Sequence, residues 1–329
     1  MRSFRWGIIG PGRIARKFAD CIQSLPNSTV QAIASRSAKD IKQLTSEFHA
    51  EAGYQCYEEL VLDKNIDAVY IATPHRFHYE NAMLCLNHGK PALVEKAFTV
   101  NALEAESLAV EARKKGVFLM EAMWTRFLPV YGRVDQWLKS GKIGEVQLAT
   151  SSLGFIARRD PGDRLLNPAL AGGAVLDLGV YATAVSQFIF SKTPVSIKAQ
   201  GYIGKTGVDE AISASLDYGG GRYSQFACTF LARPSMKVEI IGTKGEITIL
   251  PVFNSAERAS LIINKREKIV QLPHRINGFE YQIEEAQNCV KSGKLESSLM
   301  PLSASIDNLR VLDEIRKQIG VKYSFEMKN

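Results

Sequence analysis

The pattern of apolar and polar positions changes about a third of the way along the chain. In residues 1–123, short apolar runs alternate with amphipathic stretches whose apolar residues recur every three or four positions. The predicted strands lie at residues 4–10, 29–35, 67–73, 91–96 and 117–123. The predicted helices lie at residues 13–25, 38–50, 77–89 and 101–116. Since runs such as 68–72 are apolar on both faces, we predict an α/β unit with a doubly wound parallel sheet.

The remaining residues, 124–329, form a second predicted domain of α+β type. Helices are predicted at 130–140 and, rich in glycine, at 172–190, and two more close the chain at 278–292 and 302–319. Strands are predicted at 196–203, 210–218, 222–231, 237–241, 246–250, 259–264 and 267–272. Apolar and polar residues alternate along 212–218, which indicates a mainly antiparallel sheet with one buried face.

Composition and charge exclude several classes of protein. Hydrophobic residues make up 46% and charged residues 23% of the 329 residues, which is typical of a folded globular chain. The longest apolar runs, such as 66–73, are far shorter than the roughly 20 residues needed to span a bilayer, so no membrane partner is expected. The net charge of +7 comes from basic residues scattered among acidic ones, so no nucleic acid partner is expected either.

Cysteine usage and the amino terminus point to one compartment. The five cysteines are odd in number and widely spaced, which predicts buried, reduced thiols and neither a disulfide framework nor a metal site. Arg13, Arg16 and Lys17 interrupt the first apolar stretch before it reaches the length of a secretory signal. We therefore expect a cytoplasmic protein.

A glycine-rich turn follows the first predicted strand. Residues 10–15 read G-x-G-x-x-A, with Gly10, Gly12, Arg13 and Ile14 between the strand and the first helix. The first glycine permits a tight turn, and the second lets main-chain N–H groups approach a pyrophosphate at the helix N-terminus. This context predicts a dinucleotide-binding Rossmann domain over residues 1–123.

The end of the second strand bears on which dinucleotide is bound. NAD sites usually have a carboxylate there for the ribose 2′-hydroxyl, whereas this chain has Ser35 and Arg36. A hydroxyl followed by a guanidinium suits a 2′-phosphate, so NADP is predicted and NAD is the lesser alternative. The other interpretation is an exposed loop arginine that binds no ligand.

Further polar residues follow two later strands, at the sheet edge where such folds bind ligands. Thr73 and Pro74 end one strand, and His75 and His78 come next; His75 is a candidate to pack on the cofactor, and His78 is equally well explained as a structural hydrogen-bonding group. Glu95 and Lys96 end the following strand. A lysine there would lie beside the nicotinamide and stabilise negative charge on a reacting oxygen.

The glycine-rich helix of the second domain carries the remaining candidate chemistry. Asp177 and Tyr181 are four residues apart and share one face of a helix. A tyrosine with an ordinary pKa of about 10 transfers protons near neutrality only when a cation favours its phenolate, and Lys96 is the candidate cation.

Taken together, these motifs resemble the glucose-fructose oxidoreductase and inositol dehydrogenase (Gfo/Idh/MocA) family. The resemblance spans nearly the whole chain: residues 10–15, Thr73-Pro74 with His78 and Ala82, Glu95-Lys96, and the glycine-rich segment 172–181. Residues 120–127 and 176–181 are most similar to its dimeric dihydrodiol dehydrogenase branch. The resemblance implies that Lys96 is the catalytic lysine, that Asp177 positions the substrate and that Tyr181 transfers the proton. It also implies a second domain with a large open sheet that forms a homodimer or higher oligomer.

Two positions depart from the family pattern. Ala97 stands where the family usually has proline, which removes a restriction on the Lys96 backbone. His75 stands where many members have asparagine. Trp124, Arg126 and Arg158 are candidate substrate residues, although a buried tryptophan and a solvated arginine loop that also includes Arg159 and Arg164 explain them as well.

We therefore expect an NADP-dependent oxidoreductase that acts on a secondary alcohol or carbonyl of a small sugar, polyol or trans-dihydrodiol without a metal. One alternative is a NAD-linked inositol or sugar dehydrogenase. The other is a regulator that binds NADP or a sugar without turnover.

Overall fold

The computed structural model describes residues 2–326 as two compact units. The first unit comprises the chain up to Trp124 together with Arg275–Ile306. The second comprises Thr125–His274 and the residues from Asp307 onward. The first boundary lies one residue from the predicted one, but the assignment of residues 275–306 differs.

The first unit is built on a parallel sheet. Its elements are β1 (Phe4–Ile9), α1 (Arg13–Ser24), β2 (Ser28–Ala34), α2 (Ala38–Glu47), β3 (Ala52–Tyr54), α3 (Tyr57–Leu62), β4 (Ala68–Ile71), α4 (His78–Asn87), β5 (Ala92–Glu95), α5 (Ala102–Lys115) and β6 (Leu119–Ala122). The six strands are all parallel, in the order β3-β2-β1-β4-β5-β6. The predicted doubly wound sheet is confirmed, and β3 and α3 are the elements that the pattern missed.

Local sequence explains where these helices begin and end. Asn101 caps α5 by accepting a hydrogen bond from the N–H of Glu104, and Ser37 caps α2 in the same way. Gly89 and Gly116 follow α4 and α5 with φ of 68° and 66°, a left-handed conformation that glycine adopts without strain.

The second unit is a large, mainly antiparallel sheet with helices. Its elements, in chain order, are α6 (Pro129–Lys139), β7 (Val146–Gly154), α7 (Val180–Phe190), β8 (Ser196–Ile203), β9 (Asp209–Asp217), β10 (Tyr223–Thr229), β11 (Val238–Gly242), β12 (Gly245–Ile249), β13 (Arg258–Ile263) and β14 (Arg266–Gln271). The eight strands run in the order β14-β13-β12-β11-β7-β10-β9-β8, and only β7 and β10 pair in parallel.

One face of this second sheet is buried and the other is open. On β9, Ile212, Ala214 and Leu216 are buried, whereas Ser213 between them is exposed. α7 and the turn before it pack near β7, β9 and β10, which accounts for the buried face. The predicted alternation is therefore confirmed.

Two helices close the chain, α8 (Glu280–Lys291) and α9 (Leu302–Ile319). The sequence analysis places α8 in the second domain, but the structure places it in the first unit. Asn277 donates through Nδ2 to the carbonyl of Lys17 at 2.9 Å, and Gln287 donates through Nε2 to Ser28 Oγ at 2.8 Å. Contacts between residues so far apart in sequence leave no local pattern, which is why hydrophobic periodicity assigns α8 to its neighbours in the chain.

Two further expectations need correction. Four of the five cysteines are buried free thiols as predicted, but Cys56 is exposed. The segment Pro168–Phe190 is long and apolar enough to cross a membrane by length and composition alone, although the sequence analysis found no such run. Most of that segment is buried inside the protein, as the core helix of a folded domain is.

Candidate active site

The glycine-rich turn between β1 and α1 brings two main-chain segments together. Gly10 has φ of +100°, and a Cβ there would lie 2.9 Å from the main-chain atoms of Ala72 and Thr73. Glycine is required at this position because both the conformation and the space exclude a side chain. A Cβ on Gly12, in contrast, would meet only the Ala72 carbonyl oxygen, at 3.8 Å.

The start of α1 has the features of an anion site. Gly12 caps the helix without a side-chain hydrogen bond, and no acidic residue lies in the first turn. Arg13 and Ile14, the first residues of the helix, are exposed. The first N–H groups of a helix have no partner within the helix and carry partial positive charge. Such a turn can bind a dinucleotide pyrophosphate, and the binding of that group by Gly10, Gly12, Arg13 and Ile14 stays a prediction.

Ser35 and Arg36 follow β2 and have different surroundings. Ser35 is buried, and its hydroxyl accepts a hydrogen bond from the N–H of Ser37 at 3.1 Å. The Arg36 side chain is exposed, and its guanidinium carbon lies 5.7 Å from the centre of the Phe77 ring. Ser35 thus shapes the turn, and Arg36 places a positive charge at the surface after β2.

After β4 the chain turns at Pro74 into a short 3-10 turn, His75–Phe77, and His75 is buried. His78 is fully buried, with Nδ1 2.8 Å from the Ala97 carbonyl oxygen and Nε2 2.8 Å from the Thr73 carbonyl oxygen. Both ring nitrogens thus face main-chain oxygens, which favours the structural interpretation of His78. The ring ties the end of β4 to the residue after Lys96.

Glu95 and Lys96 end β5. The Glu95 carboxylate is buried, accepts a hydrogen bond from the Tyr70 hydroxyl, and accepts another from the N–H of Lys96 at 3.2 Å. Lys17 carries positive charge near this carboxylate; burial lowers the pKa of Lys17, and attraction to Glu95 opposes that shift. Glu95 therefore holds the main chain at Lys96 in place, while the Lys96 side chain is half-buried.

Asp177 and Tyr181 lie on consecutive turns in the second unit. The predicted regular helix over 172–190 instead begins with a π-helical turn, Val175–Gly179, which contains Asp177, and continues as α7, which contains Tyr181. Such wide turns recur at functional sites of helical proteins. The Asp177 and Tyr181 side chains are both buried.

Asp177 has a cationic partner that the sequence analysis regarded as a loop residue in solvent. Arg164 Nη1 lies 3.0 Å from Asp177 Oδ1, and the Arg164 side chain is 45% exposed. Arg159 in the same loop pairs with the buried Glu210 at 2.6 Å. Arg158, the arginine that was singled out as a substrate candidate, is 84% exposed beside Asp160. No sequence signal separates these three arginines, because the partners of Arg159 and Arg164 come from other elements.

A buried carboxylate contacts the start of the turn that contains Asp177. Asp209, at the start of β9, accepts a hydrogen bond through Oδ2 from the N–H of Val175 at 2.6 Å. Its side chain is completely buried, and burial raises its pKa to about 7. The sequence analysis missed this residue, since Asp209 looks like an ordinary polar residue at the end of a loop.

Trp124 and Arg126 lie in different units. The Trp124 ring is buried against Phe279, with ring centres 5.1 Å apart, and the Lys17 ammonium lies 4.0 Å from its centre. This arrangement supports the interpretation of Trp124 as a buried structural residue. Arg126 is half-buried in the second unit, 5.9 Å from the centre of the Phe188 ring. Within residues 2–326, no group of three or more His, Cys, Asp or Glu side chains is arranged to hold a metal ion.

Comparison with known proteins gives the same family for both parts of the chain. Residues 4–123 match the model of the GFO/IDH/MocA oxidoreductase family, NAD-binding Rossmann fold, and residues 131–248 match a GFO/IDH/MocA C-terminal domain. Trans-1,2-dihydrobenzene-1,2-diol dehydrogenase of Mus musculus is 35% identical over 98% of each chain. The Homo sapiens protein of the same name is 33% identical over the same shares.

Solved structures share the fold at lower identity. An aldose-aldose oxidoreductase from Caulobacter crescentus, in complex with glycerol, has a TM-score of 0.88 at 20% identity, covering 96% of this chain and 97% of its own. A 3-ketoreductase from Actinomadura kijaniata, in complex with NADP, has a TM-score of 0.86 at 24% identity, covering 97% and 98%. A levoglucosan dehydrogenase in complex with NADH has a TM-score of 0.86 at 17% identity, covering 97% and 98%.

Proposed function

The chain belongs to the GFO/IDH/MocA family of oxidoreductases with an NAD-binding Rossmann fold, and on that premise we propose that it is an NADP(H)-dependent enzyme. Its substrate is a secondary alcohol, or the matching carbonyl, of a small sugar, polyol or trans-dihydrodiol. The substrate class comes from the names of the relatives, which act on a diol or on sugars. The observation that carries the chemistry is the buried pair Asp177 and Tyr181, placed on consecutive turns with Arg164 against the carboxylate.

The choice of NADP is supported by the end of β2. No carboxylate stands at Ser35 or Arg36, and the Arg36 guanidinium is exposed to a ligand. A planar guanidinium with permanent charge pairs well with a phosphate. The related structures contain NADP in one case and NADH in another, so the preference rests on Arg36. When bound, the nicotinamide supplies the hydride donor or acceptor.

Tyr181 is the proposed proton carrier. Its phenolate oxygen takes the proton from the substrate alcohol on oxidation, and its hydroxyl gives a proton to the carbonyl oxygen on reduction. Lys96 supplies the positive charge that favours the phenolate. Since Lys96 belongs to the first unit and Tyr181 to the second, their pairing is a prediction, which the pH–rate profile tests.

Asp177 is the proposed positioning residue for the substrate. Its carboxylate accepts a hydrogen bond from a substrate hydroxyl, while Arg164 fixes the orientation of that carboxylate.

Assembly and location complete the proposal. A homodimer that forms through the open face of the second sheet is supported by the small residues on that face, which lie next to a cavity of about 550 Å³. A cytoplasmic location is supported by five free thiols. Arg126 remains a candidate for substrate contact, and the bond of Arg164 to Asp177 makes Arg164 the stronger candidate. Trp124, buried against Phe279, and Arg158, exposed beside Asp160, are weaker candidates than either.

A substrate panel tests the function. Polyols, aldoses, inositols and trans-dihydrodiols are offered with NADP⁺ and with NAD⁺, and turnover is followed by the nicotinamide absorbance. We expect turnover of at least one diol or sugar with a preference for NADP⁺. Turnover with NAD⁺ alone would favour the NAD-linked dehydrogenase. Tight binding of NADP⁺ with no turnover of any compound would favour the regulator.

A further inference from the structure

Two buried carboxylates stand next to each other at the start of β9. Asp209 and Glu210 are consecutive residues, and they are only 0% and 1% exposed. Burying a carboxylate is costly unless the group is paired or hydrogen-bonded, so each is expected to have a partner that it holds in place. Asp209 accepts a hydrogen bond from the N–H of Val175. Glu210 has no part in the proposed chemistry, and its burial requires a separate explanation.

Glu210 is the extra residue of a β-bulge. The pairing of β9 with β8 steps from Ala211 to Asp209 across a single residue of β8, so Glu210 is skipped by the pairing. Bulges are frequent next to active sites, where they redirect a side chain. Room for the carboxylate comes from Gly204, just after β8, because a Cβ at that position would overlap the Glu210 side chain.

The partner of Glu210 lies in the loop that follows β7. Arg159 donates through Nη2 to Glu210 Oε1 at 2.6 Å. The Arg159 side chain is 53% exposed, so its guanidinium joins a loop at the surface to a carboxylate in the interior. The main chain of the same loop is bonded nearby, since the N–H of Ala157 donates to the carbonyl of Phe230 at 2.9 Å. The first part of the loop is therefore anchored to the second sheet.

Two tight turns connect Arg159 to Arg164. The carboxylates of Asp160 and Asp163 each accept the N–H of the residue two positions later, at 3.0 and 2.9 Å. The main-chain carbonyls of the same two residues each accept the N–H of the residue three positions later, at 3.0 Å. Turns of this kind are stabilised by their own side chains. The position of Arg159 therefore bears directly on the position of Arg164.

We propose that Glu210 is a positioning residue, which holds the loop of Arg164 through its bond to Arg159. Its effect is to keep the Arg164 guanidinium in contact with Asp177. The inference rests on the proposed function and deepens it, because the pair of Arg164 and Asp177 is assigned there to the substrate. Asp209 holds the turn of Asp177, so the start of β9 supports both halves of that pair.

Hydrogen exchange of the full chain tests the hold on the loop without any substrate. Glu210→Gln keeps the shape of the side chain but removes the charge that pairs with Arg159. The N–H groups that close the two turns lie within residues 160–166, and they should exchange about three- to tenfold faster in this variant. The matched control is Glu239→Gln, the same change in a surface ion pair with Lys237, which should leave exchange in this segment at the wild-type rate.

Steady-state kinetics with the substrate that the panel identifies test the consequence for the site. Glu210→Gln and Arg159→Ala should each lower kcat/KM about three- to tenfold, mainly through KM, with NADP affinity unchanged. Arg159→Lys keeps a cation for Glu210 and should retain most of the wild-type kcat/KM. When Arg159→Ala is added to Arg164→Ala, little further loss should follow, because the route through Arg164 is gone.

A double variant separates positioning from misfolding. Glu210→Gln combined with Arg159→Met leaves no unpaired charge in the interior, so the fold does not carry the cost of an isolated buried ion. The double variant should show the faster exchange of residues 160–166 and the lower kcat/KM of the single variants.

The outcomes separate this inference from the proposed function. If Glu210→Gln and the double variant exchange like the Glu239→Gln control, Glu210 does not hold the loop, and the inference is overturned whatever the enzyme turns over. Faster exchange with an unchanged kcat/KM also overturns it, as do additive losses of Arg159→Ala and Arg164→Ala. If the wild-type protein turns over no compound of the panel, the proposed function fails and the positioning role fails with it.

Discussion

At the scale of single residues, the second unit pairs a buried carboxylate with a half-exposed guanidinium. The bond between Arg164 and Asp177 satisfies one oxygen of a carboxylate that would otherwise be costly to bury. The same bond sets the direction in which the carboxylate faces a ligand. Arg164 is therefore as closely tied to the predicted chemistry as Asp177 itself.

The role of Tyr181 is tested by removing its hydroxyl. Tyr181→Phe should lower turnover by about 10²- to 10⁴-fold, the usual contribution of a positioned proton-transfer group, with little change in NADP affinity. Tyr79→Phe, the same change in a tyrosine of α4, should leave turnover unchanged. Near-normal turnover in Tyr181→Phe would reject the assignment and leave His75 as the next candidate, since both nitrogens of His78 face carbonyl oxygens.

The role of Lys96 is tested by the pH–rate profile. Lys96→Met removes the cation that favours the phenolate, so turnover should fall and the rise of oxidation rate with pH should move to higher pH. Steady-state rates for the wild type and the variant across neutral and alkaline pH give this profile. If the rate of Lys96→Met rises over the same pH range as that of the wild type, Lys96 does not influence the titration of Tyr181 and the proposed role of Lys96 is wrong.

The role of Arg164 is tested against a neighbouring arginine. Arg164→Ala should lower kcat/KM by about tenfold or more, because Asp177 loses a charge-assisted hydrogen bond, while NADP affinity is retained. Arg158→Ala removes the same charge from an 84% exposed side chain in the same loop and should have little effect. Equal losses in both variants would mean that the loop acts through its net charge and that the bond to Asp177 contributes nothing specific.

At the scale of elements, a buried carboxylate lies behind the turn that carries Asp177. Asp209 Oδ2 accepts the N–H of Val175, the first residue of the π-helical turn, and Oδ1 lies against Gly173. A Cβ on Gly173 would come within 2.2 Å of Oδ1. Asp209 of β9 therefore holds the start of the helical segment that contains Asp177 in place.

The pKa of Asp209 makes stability depend on pH. Its pKa is about 7 in the folded chain against an ordinary value of 3.8, because burial disfavours the charged form and outweighs the opposing effects of the Val175 N–H and Arg316. Between these two values the folded state holds one more proton than the unfolded state. Stability should therefore fall as pH rises from about 4 to about 7, by up to about 4 kcal/mol, and level off above that range.

Asp209→Asn tests this expectation, since the amide oxygen still accepts the Val175 N–H but the side chain no longer ionises. The free energy of unfolding of the variant, measured in urea, should increase relative to that of the wild type as the pH rises from 5 to 8. As a control, Asp135→Asn removes the charge from an ion pair with Lys139 at the surface, and its stability should keep the wild-type dependence on pH. Parallel curves for Asp209→Asn and the wild type would contradict the assignment of this titration to Asp209.

At the scale of the whole molecule, the open face of the second sheet is the predicted dimer surface. Gln200, Ser213 and Ala227 stand side by side on β8, β9 and β10, and all three are exposed. The three line a cavity of about 550 Å³ on this face. A broad sheet face with small, weakly charged side chains is suited to packing against a second copy.

Solution mass measures this assembly. Light scattering at micromolar concentration should give about twice the 36.4 kDa chain mass for the wild type. Ala227→Arg places a bulky charge on the face and should yield monomers, whereas Leu103→Arg, at an exposed position of α5, should remain dimeric. A monomeric wild-type protein would rule out the dimer.

Much of the fold and of the candidate site could be predicted from the sequence, because those features depend on local chemistry. The alternation of apolar runs gives the two sheets, and α9 and β8 begin and end at the predicted residues. Gly10 could be predicted because the tight turn brings it so close to other main chain that a side chain is excluded. The strand β3, in contrast, is three residues long and contains a glycine, so it leaves no periodic signal.

Only the tertiary structure decided which distant residues meet. The assignment of α8 to the first unit, the pairing of Arg164 with Asp177, the hydrogen bond between Asp209 and Val175 and the contact of Phe77 with Arg36 each join residues from separate elements. Hydrophobic periodicity reports which face of an element is buried but carries no information about which polar group lies opposite. The sequence by itself thus determined the family, the architecture and the main candidate residues, whereas the partners that orient those residues follow from packing.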